Sequence, residues 1–591
     1  MNKQEYDILR FLNKKENYNL TQRELSDLIG YSVGNINNSI KSLNKLGYLD
    51  INNVTDKGKE LINKNKPKNA IILAAGIGMR MVPINLKYPK GLLKVHDEYL
   101  IERLISQLHE VGIKEIYIVV GYLKEKYEYL IDKYNVKLIV NRDYAIKGSI
   151  SSLKLASKYI GNSYILPCDI WCKKNPFNKN EINSWYLVNN IISNRTEVRV
   201  NRKGQLVKIE QNETGNKMLG IAYLNKEDSE FIKNKLVDFE INEEDLNWEK
   251  ILYENNRMIC YSRIFDKEDA VSINTYEELR DLDEKSENLE SYALSIIKET
   301  LNASSKDIKD IKCLKKGMTN RSFMFSCKDS KYIMRIPGEG TDHLINRKQE
   351  ARVYNLINGK NLCDDIIYIN EDNGYKITKF IENARVCNPY NINDLKKCIG
   401  FLKKFHNMKL VVEHEFDIFE KINYYEQLWG ENISAYDDYE LTKEKVFSLQ
   451  KFIEENVEYK CLTHIDAVPD NFLISKNKEG KEFINLIDWE YSAMQDPHVD
   501  IAMFAIYALY DKKEIDKLID IYFENKCNDK TRIKIYCYIA SCGLLWSNWC
   551  EYKRNLGVEF GEYSLKQYRY AKDFYNYAKE KMNDISEKGD N

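Results

Sequence analysis

Apolar positions in the first sixty residues recur at helical spacing. Tyr6, Ile8, Leu9, Phe11 and Leu12 mark one helix. Thr21-Gln-Arg-Glu24 fits a capping box ahead of Leu25, Leu28 and Ile29, and Gly30 ends that helix. A further helix begins near Ser32 and turns Ile36, Ile40, Leu43 and Leu46 inward. After Gly47-Tyr48-Leu49 the pattern shortens to a strand pair ending in Val54-Thr55-Asp56-Lys57-Gly58. Lys64–Asn69, with Pro67, reads as a linker.

Beyond it the chain alternates strand and helix as a parallel α/β sheet does. Helices are expected at 101–111, 124–133 and 151–159, and strands at 115–120, 136–140 and 163–167. Short strands at 195–200 and 205–211 around Asn201-Arg202-Lys203-Gly204 read as a hairpin. A charged helix from Tyr276 to Asn288 closes this part. From about Leu289 two short strands flank Lys315-Lys316-Gly317-Met318-Thr319-Asn320, and Tyr332-Ile-Met-Arg335-Ile-Pro follows. The expected fold class is α/β multidomain: residues 1–66, 67–286 and 287–591.

Composition narrows the classes. A chain of 591 residues exceeds one core, and 43% hydrophobic with 30% charged residues is globular. A formal net charge of −1 gives no general attraction to nucleic acid or membrane. No N-terminal apolar leader and no 18-residue apolar run is present, so neither export nor membrane insertion is expected. Thirteen cysteines without a C-x-x-C pair fit reduced thiols in the cytoplasm.

The chemistry starts at Ala70–Val95. The run Ile71-Ile72-Leu73 leads through Ala74-Ala75 into Gly76-x-Gly78-x-Arg80. Glycines there bring backbone N–H groups close to phosphates, and Arg80 and Lys90 add fixed positive charge. Met81 excludes the dinucleotide fingerprint, and no Gly-Lys-Ser/Thr makes a P-loop. The strand 163–167 delivers Asp169 to the end of the sheet, where a Mg²⁺ ligand is wanted.

With Pro89-Lys90-Gly91-Leu92 following, the stretch resembles the sugar-nucleotide-type nucleotidyltransferases, and within them the bacterial CTP:phosphocholine cytidylyltransferases. The resemblance implies a Rossmann-like domain with a mixed sheet. It implies nucleotide contacts from Leu73, Ala74, Ala75, Gly76, Gly78 and Ser151, catalytic charge from Lys90 and Arg80, and metal on Asp169. The family's second metal aspartate is matched by Asn274, unless Asp269 or Asp266 fills that role. Trp185, Tyr186 and Tyr223 are aromatic candidates for a trimethylammonium group, against the usual core role of strand aromatics.

A second constellation lies in Thr463-His464-Ile465-Asp466-Ala-Val-Pro-Asp470-Asn471, with Leu486-Ile487-Asp488-Trp489-Glu490-Tyr491 after it. Phosphoryl transfer needs a carboxylate facing the acceptor hydroxyl and oxygen ligands for Mg²⁺. Asp466 suits the first role, Asn471 and Asp488 the second, at the Asp-x-x-x-x-Asn spacing of a kinase catalytic loop. This block resembles the choline kinase branch of the aminoglycoside-phosphotransferase-like enzymes, which implies a bilobal kinase-like fold. The resemblance implies an ATP hairpin at Gly317, Thr319 and Asn320, a phosphate cation in Arg335 held by Glu350, and a choline pocket of Glu490, Tyr491, Trp546 and Trp549.

The N-terminal order resembles a winged helix-turn-helix, with Ser32–Lys45 as recognition helix. Asn35, Asn37, Asn38, Ser39 and Lys41 on its outer side are able to read base edges. Residues 1–68 carry 12 Lys and Arg against 8 Asp and Glu, with no concentrated basic stripe, which tilts the reading from DNA binding toward a protein-contact module while leaving both open. Together the blocks imply a bifunctional enzyme. ATP phosphorylates choline, CTP then joins phosphocholine to give CDP-choline and pyrophosphate, and the product serves phosphocholine decoration of surface glycans. The sequence is compatible with a homodimer. The rivals are the same architecture acting on ethanolamine or 2-aminoethylphosphonate, and a ligand-sensing transcription regulator with a degraded enzyme behind it. Trp546 and Trp549 speak against a primary ammonium, and the intact Asp466, Asn471 and Asp488 against the regulator.

Overall fold

In the computed structural model Thr21 closes its capping box: its hydroxyl accepts the Glu24 N–H, and the Glu24 carboxylate accepts the Thr21 N–H at 2.7 Å. The helix Gln22–Ile29 then stops at Gly30, whose φ of 78° suits a residue without Cβ. Ser32 caps Val33–Lys45, which buries Ile36, Ile40 and Leu43 against Tyr6, Leu9, Leu12 and Leu25. The structure describes all residues except 2, 14–19, 65, 146, 195, 211, 239–246, 254–257, 317–319, 339–344, 478, 559 and 590–591.

Several expectations change in this region. Leu46 caps the C-terminus of its helix and Leu28 faces outward, so both are exposed. Ser39, expected outside, is buried beside Ile36 and Ile40. Asp56–Lys64, read as strand tail and linker, forms a further helix. Gly58 allows it: a Cβ there would stand 2.5 Å from the Tyr48 carbonyl oxygen. The strand pair Leu49–Asp50 and Asn53–Val54 completes the winged arrangement.

The chain divides into two compact units, Met1–Ser295 and Ile296–Asn591. In the first, a seven-stranded mixed sheet runs in the order Tyr261–Phe265, Trp185–Ser193, Gly215–Leu224, Ser163–Pro167, Asn69–Ala74, Glu115–Val120, Lys137–Val140. Asn69–Ala74 pairs in parallel with both neighbours, and Gly215–Leu224 runs antiparallel to both of its own. Buried Val, Ile and Leu cover both faces. The helix expected at 124–133 breaks into a 3₁₀ turn, Lys124–Tyr127, and a short helix, Leu130–Tyr134. The closing helix ends early, at Leu282, because the Asp283 carboxylate caps the His96 and Lys285 N–H groups instead. Trp185, Tyr186 and Tyr223 are all at most 4% exposed, so these three aromatics are core and not a site for a trimethylammonium group.

The second unit has a five-stranded antiparallel sheet, Ile308–Lys316, Asn320–Cys327, Ser330–Pro337, Lys376–Lys379 and Ile366–Ile369. Helix Arg347–Ile357 lies in sequence between the strands Ser330–Pro337 and Ile366–Ile369. Beyond lies a largely helical part, with short strands Cys461–Thr463, Phe472–Lys476 and Glu482–Leu486 flanking the loops of Asp466, Asn471 and Asp488. The 27-residue helix Asp529–Asn555 is buried on nearly every side through its middle, where residues 533–550 carry the apolar run and the buried Ser541, Asn548 and Lys534 find hydrogen-bond partners.

Candidate active sites

The glycine turn leaves strand Asn69–Ala74 at the edge of a cavity of about 240 Å³. Leu73, Ala75, Gly76, Gly78, Lys90 and Asp169 line it. Gly78 has φ 70°, and a Cβ there would meet the Lys90 chain at 2.6 Å. The lysine therefore lies along the turn and reaches past it. Its Nζ donates to Asp169 Oδ2 at 2.7 Å and to Asn274 Oδ1 at 3.3 Å. Arg80 Nη2 donates to the same amide oxygen at 3.3 Å. Asn274 thus stands opposite Asp169, and its register is fixed by the Ile273 N–H on the Asp169 carbonyl at 2.8 Å. Asp266 and Asp269 turn to Asn190 and Lys174 instead.

Ala74 is buried in the strand, outside the lining. Ser151 bonds the Gly148 carbonyl and takes a hydrogen bond from Asn141, while Ser149 and Ser152 face the cavity. Sequence reasoning missed Trp248 and Glu249, which line the same cavity. Burial pushes the Glu249 carboxyl up to about 7, and the charges of Asp169 and Glu197 add to it. No local motif announces this pair; the signal in the sequence is only an acid beside an aromatic.

In the second unit Ile465 and Asp488 take left-handed φ values of 69° and 70°. Such strain persists where surrounding bonds fix it. Asp500 does so, accepting the His464 N–H at 3.0 Å and the Ile465 N–H at 2.7 Å. Asn471 Nδ2 donates to Asp466 Oδ2 at 3.0 Å, and the Ile487 N–H bonds the Asn471 carbonyl, so the three loop residues are tied together. Burial, then the charges of Asp488 and Glu490, hold the Asp466 carboxyl well above the usual carboxylate range.

Asp466, Asp488 and Glu490 face a cavity of about 450 Å³ walled by Tyr491, Tyr507, Trp546, Trp549, Phe560 and Tyr563. The two indoles meet edge to face at 5.4 Å. Arg335 and Glu350 form a buried fork, with Nη2 to Oε2 at 2.9 Å. Burial opposes ionisation there, yet the Arg335 charge holds Glu350 down to about 2. Gly317 and Thr319 lie outside the described residues. Asn320 opens the strand Asn320–Cys327.

Among the described residues no three His, Cys, Asp or Glu gather as a ready metal cage. Asp169 with Asn274, and Asp488 with Asn471, offer hard oxygen donors in ones and twos. That donor set fits a small divalent ion completed by substrate phosphates.

A glycine turn beside Lys90 and Arg80 is the arrangement of a nucleotidyltransferase, and Asp466, Asn471 and Asp488 beside an aromatic cavity are that of a small-molecule kinase. The chain belongs to the choline-phosphate cytidylyltransferases in its central part, and its C-terminal part is similar to choline/ethanolamine kinases. Residues 70–176 match the MobA-like NTP transferase domain, 311–541 choline/ethanolamine kinase and 1–57 the MarR family. Choline-phosphate cytidylyltransferase of Haemophilus influenzae is 33% identical over 29% of this chain and 75% of its own length. Protein LicA of Haemophilus influenzae is 28% identical over 42% of this chain and 96% of its own. The crystal structure of choline kinase LicA from Streptococcus pneumoniae is 30% identical, covering 49% of this chain and all of that one at a TM-score of 0.42.

Proposed function

We propose that this chain makes CDP-choline in two consecutive reactions, one in each unit. The observation that carries the choline assignment is the cavity in which Asp466, Asp488 and Glu490 lie among six aromatic rings. A quaternary ammonium donates no hydrogen bonds, so ring faces and a nearby acid are what recognise it. In the first reaction the choline oxygen attacks the γ-phosphorus of ATP, the bond to the bridging oxygen breaks, and ADP leaves. Asp466 takes the hydroxyl proton, and Arg335, held by Glu350, orients the phosphates.

In the second reaction a phosphocholine oxygen attacks the α-phosphorus of CTP and pyrophosphate departs. The turn amides of Gly76 and Gly78 cradle the phosphates, and Lys90 and Arg80 offset the charge that develops. Trp248 and Glu249 give the acceptor's cation a ring and a carboxyl in the same cavity. Asp169 and Asn274 in one unit, and Asn471 and Asp488 in the other, would hold a Mg²⁺ ion, which would supply positive charge to the substrate phosphates. No helix among the described residues is long and apolar enough to cross a membrane. We place both reactions in the cytoplasm, with the product serving surface glycan decoration.

Incubation of the purified chain with ATP, CTP, Mg²⁺ and either choline or ethanolamine tests the reading. CDP-choline is the expected product, with choline preferred. A preference for ethanolamine overturns the substrate, and absence of either nucleotide product overturns the function.

A further inference from the structure

Glu490 faces two ways. It lines the aromatic cavity, and its Oε2 also lies 3.7 Å from Arg347 Nη1 and 3.9 Å from Arg335 Nη1. All three side chains are at most 5% exposed, so little water screens these charges. Arg347 is wedged in place: it donates to Glu350 Oε2 at 3.0 Å, and its chain crosses Gly374, where a Cβ would stand 2.6 Å from Arg347 Cδ. Gly374 holds φ 72°, and its carbonyl accepts from Arg335 Nη2 at 2.9 Å. The glycine thus makes room for one arginine and fixes the other.

From this geometry we infer that Glu490 is a shared counter-ion, contested between the arginine pair and the cationic substrate, and that this contest couples nucleotide binding to substrate binding. The inference rests on the proposed kinase reading. Without nucleotide, the two guanidiniums, which Glu490 shares with Glu350, offset the Glu490 charge and oppose a trimethylammonium group entering the cavity. Phosphates drawn to Arg335 take up part of that charge. Glu490 then presents more net negative charge to the cavity, and the cation binds more tightly. Reciprocity requires that choline tighten nucleotide binding by the same factor. Arg347 is a positioning residue in this scheme; it touches neither substrate.

Calorimetric titration of choline into the full chain, with and without a non-hydrolysable ATP analogue and Mg²⁺, tests it. The analogue is expected to tighten choline binding at least about fivefold, the lower edge of ordinary coupling between sites. Arg347→Gln removes one competing charge, so it is expected to tighten choline binding several-fold in the nucleotide-free protein. A merely structural role would weaken it. Equal choline affinity with and without the analogue overturns the inference, as does weaker binding in a variant that melts like the wild type. The wild-type titration alone decides the matter should that variant fail to fold. Failure of the wild type to bind choline at all would instead overturn the kinase reading itself.

Discussion

Two side chains carry most of what can be tested one residue at a time. Asp466 is held above the usual carboxylate range by burial and then by Asp488 and Glu490. A base must be ionised to accept a proton, so kcat for choline phosphorylation should fall on an acid limb set by Asp466. Asp466→Ala should lower the rate by roughly 10²-fold, the scale of a lost general base. Glu490→Gln removes one negative neighbour, which makes Asp466 easier to ionise, so the acid limb should move to lower pH. A pH profile of kcat for both proteins checks this, and an unmoved limb counts against the coupling. In the other unit, Asn274 presents an amide oxygen to Lys90 and Arg80. Asn274→Asp adds a full charge opposite Asp169. The Mg²⁺ concentration for half-maximal cytidylyl transfer should fall, and a magnesium titration reads it. Tighter pairing of the new carboxylate with Lys90 would instead leave the midpoint unchanged.

Whole elements explain both what could be read from sequence and what could not. The turn at Gly76–Arg80 and the loop at Asp466–Asn471 place their groups within a few residues of each other, so spacing alone exposes them. Asn274 was legible only through the family resemblance, which expects a second metal aspartate there; the structure brings it to Asp169 by pairing strand Ala270–Ser272 with Ile170–Cys172. Glu249 and Arg347 were not, because the partners that give them meaning are distant in the chain. The strand aromatics Trp185, Tyr186 and Tyr223 misled in the opposite direction, since alternation puts them into the sheet's two cores. Helix Asp529–Asn555 shows the balance between these effects. Its Trp546 and Trp549 are 8% and 7% exposed, which is core by burial, yet what they leave uncovered faces the cavity. Trp549→Ala should raise the choline KM about thirtyfold, from loss of a desolvated cation–π contact of about 2 kcal/mol, and leave the ATP KM alone. Steady-state kinetics with each substrate varied in turn distinguishes this from a packing defect, which would disturb both.

At the scale of the molecule, the winged helix packs within the first unit rather than standing apart in it. Ile182 of the central part lies against its core, and burial together with the charge of Glu181 pushes up the Tyr6 phenol. Glu181 in turn binds Arg263 at 2.9 Å, and Arg263 covers the Trp185 ring at 3.7 Å. Removing residues 1–66 would uncover this face. Losing contacts of one or two partly buried apolar side chains costs about 1–3 kcal/mol, a drop of a few degrees in melting temperature. Differential scanning calorimetry of the shortened chain measures it, and an unchanged transition would make the contact energetically idle.

Both candidate active sites lie on one polypeptide, and on the proposed reading this fixes their stoichiometry at synthesis. Transcription and translation then scale the two catalysts together, whatever the growth state of the cell. The steady level of phosphocholine becomes a ratio of two turnover numbers and cannot be tuned by expressing one gene more than another. Selection on that pool acts only through the active sites themselves.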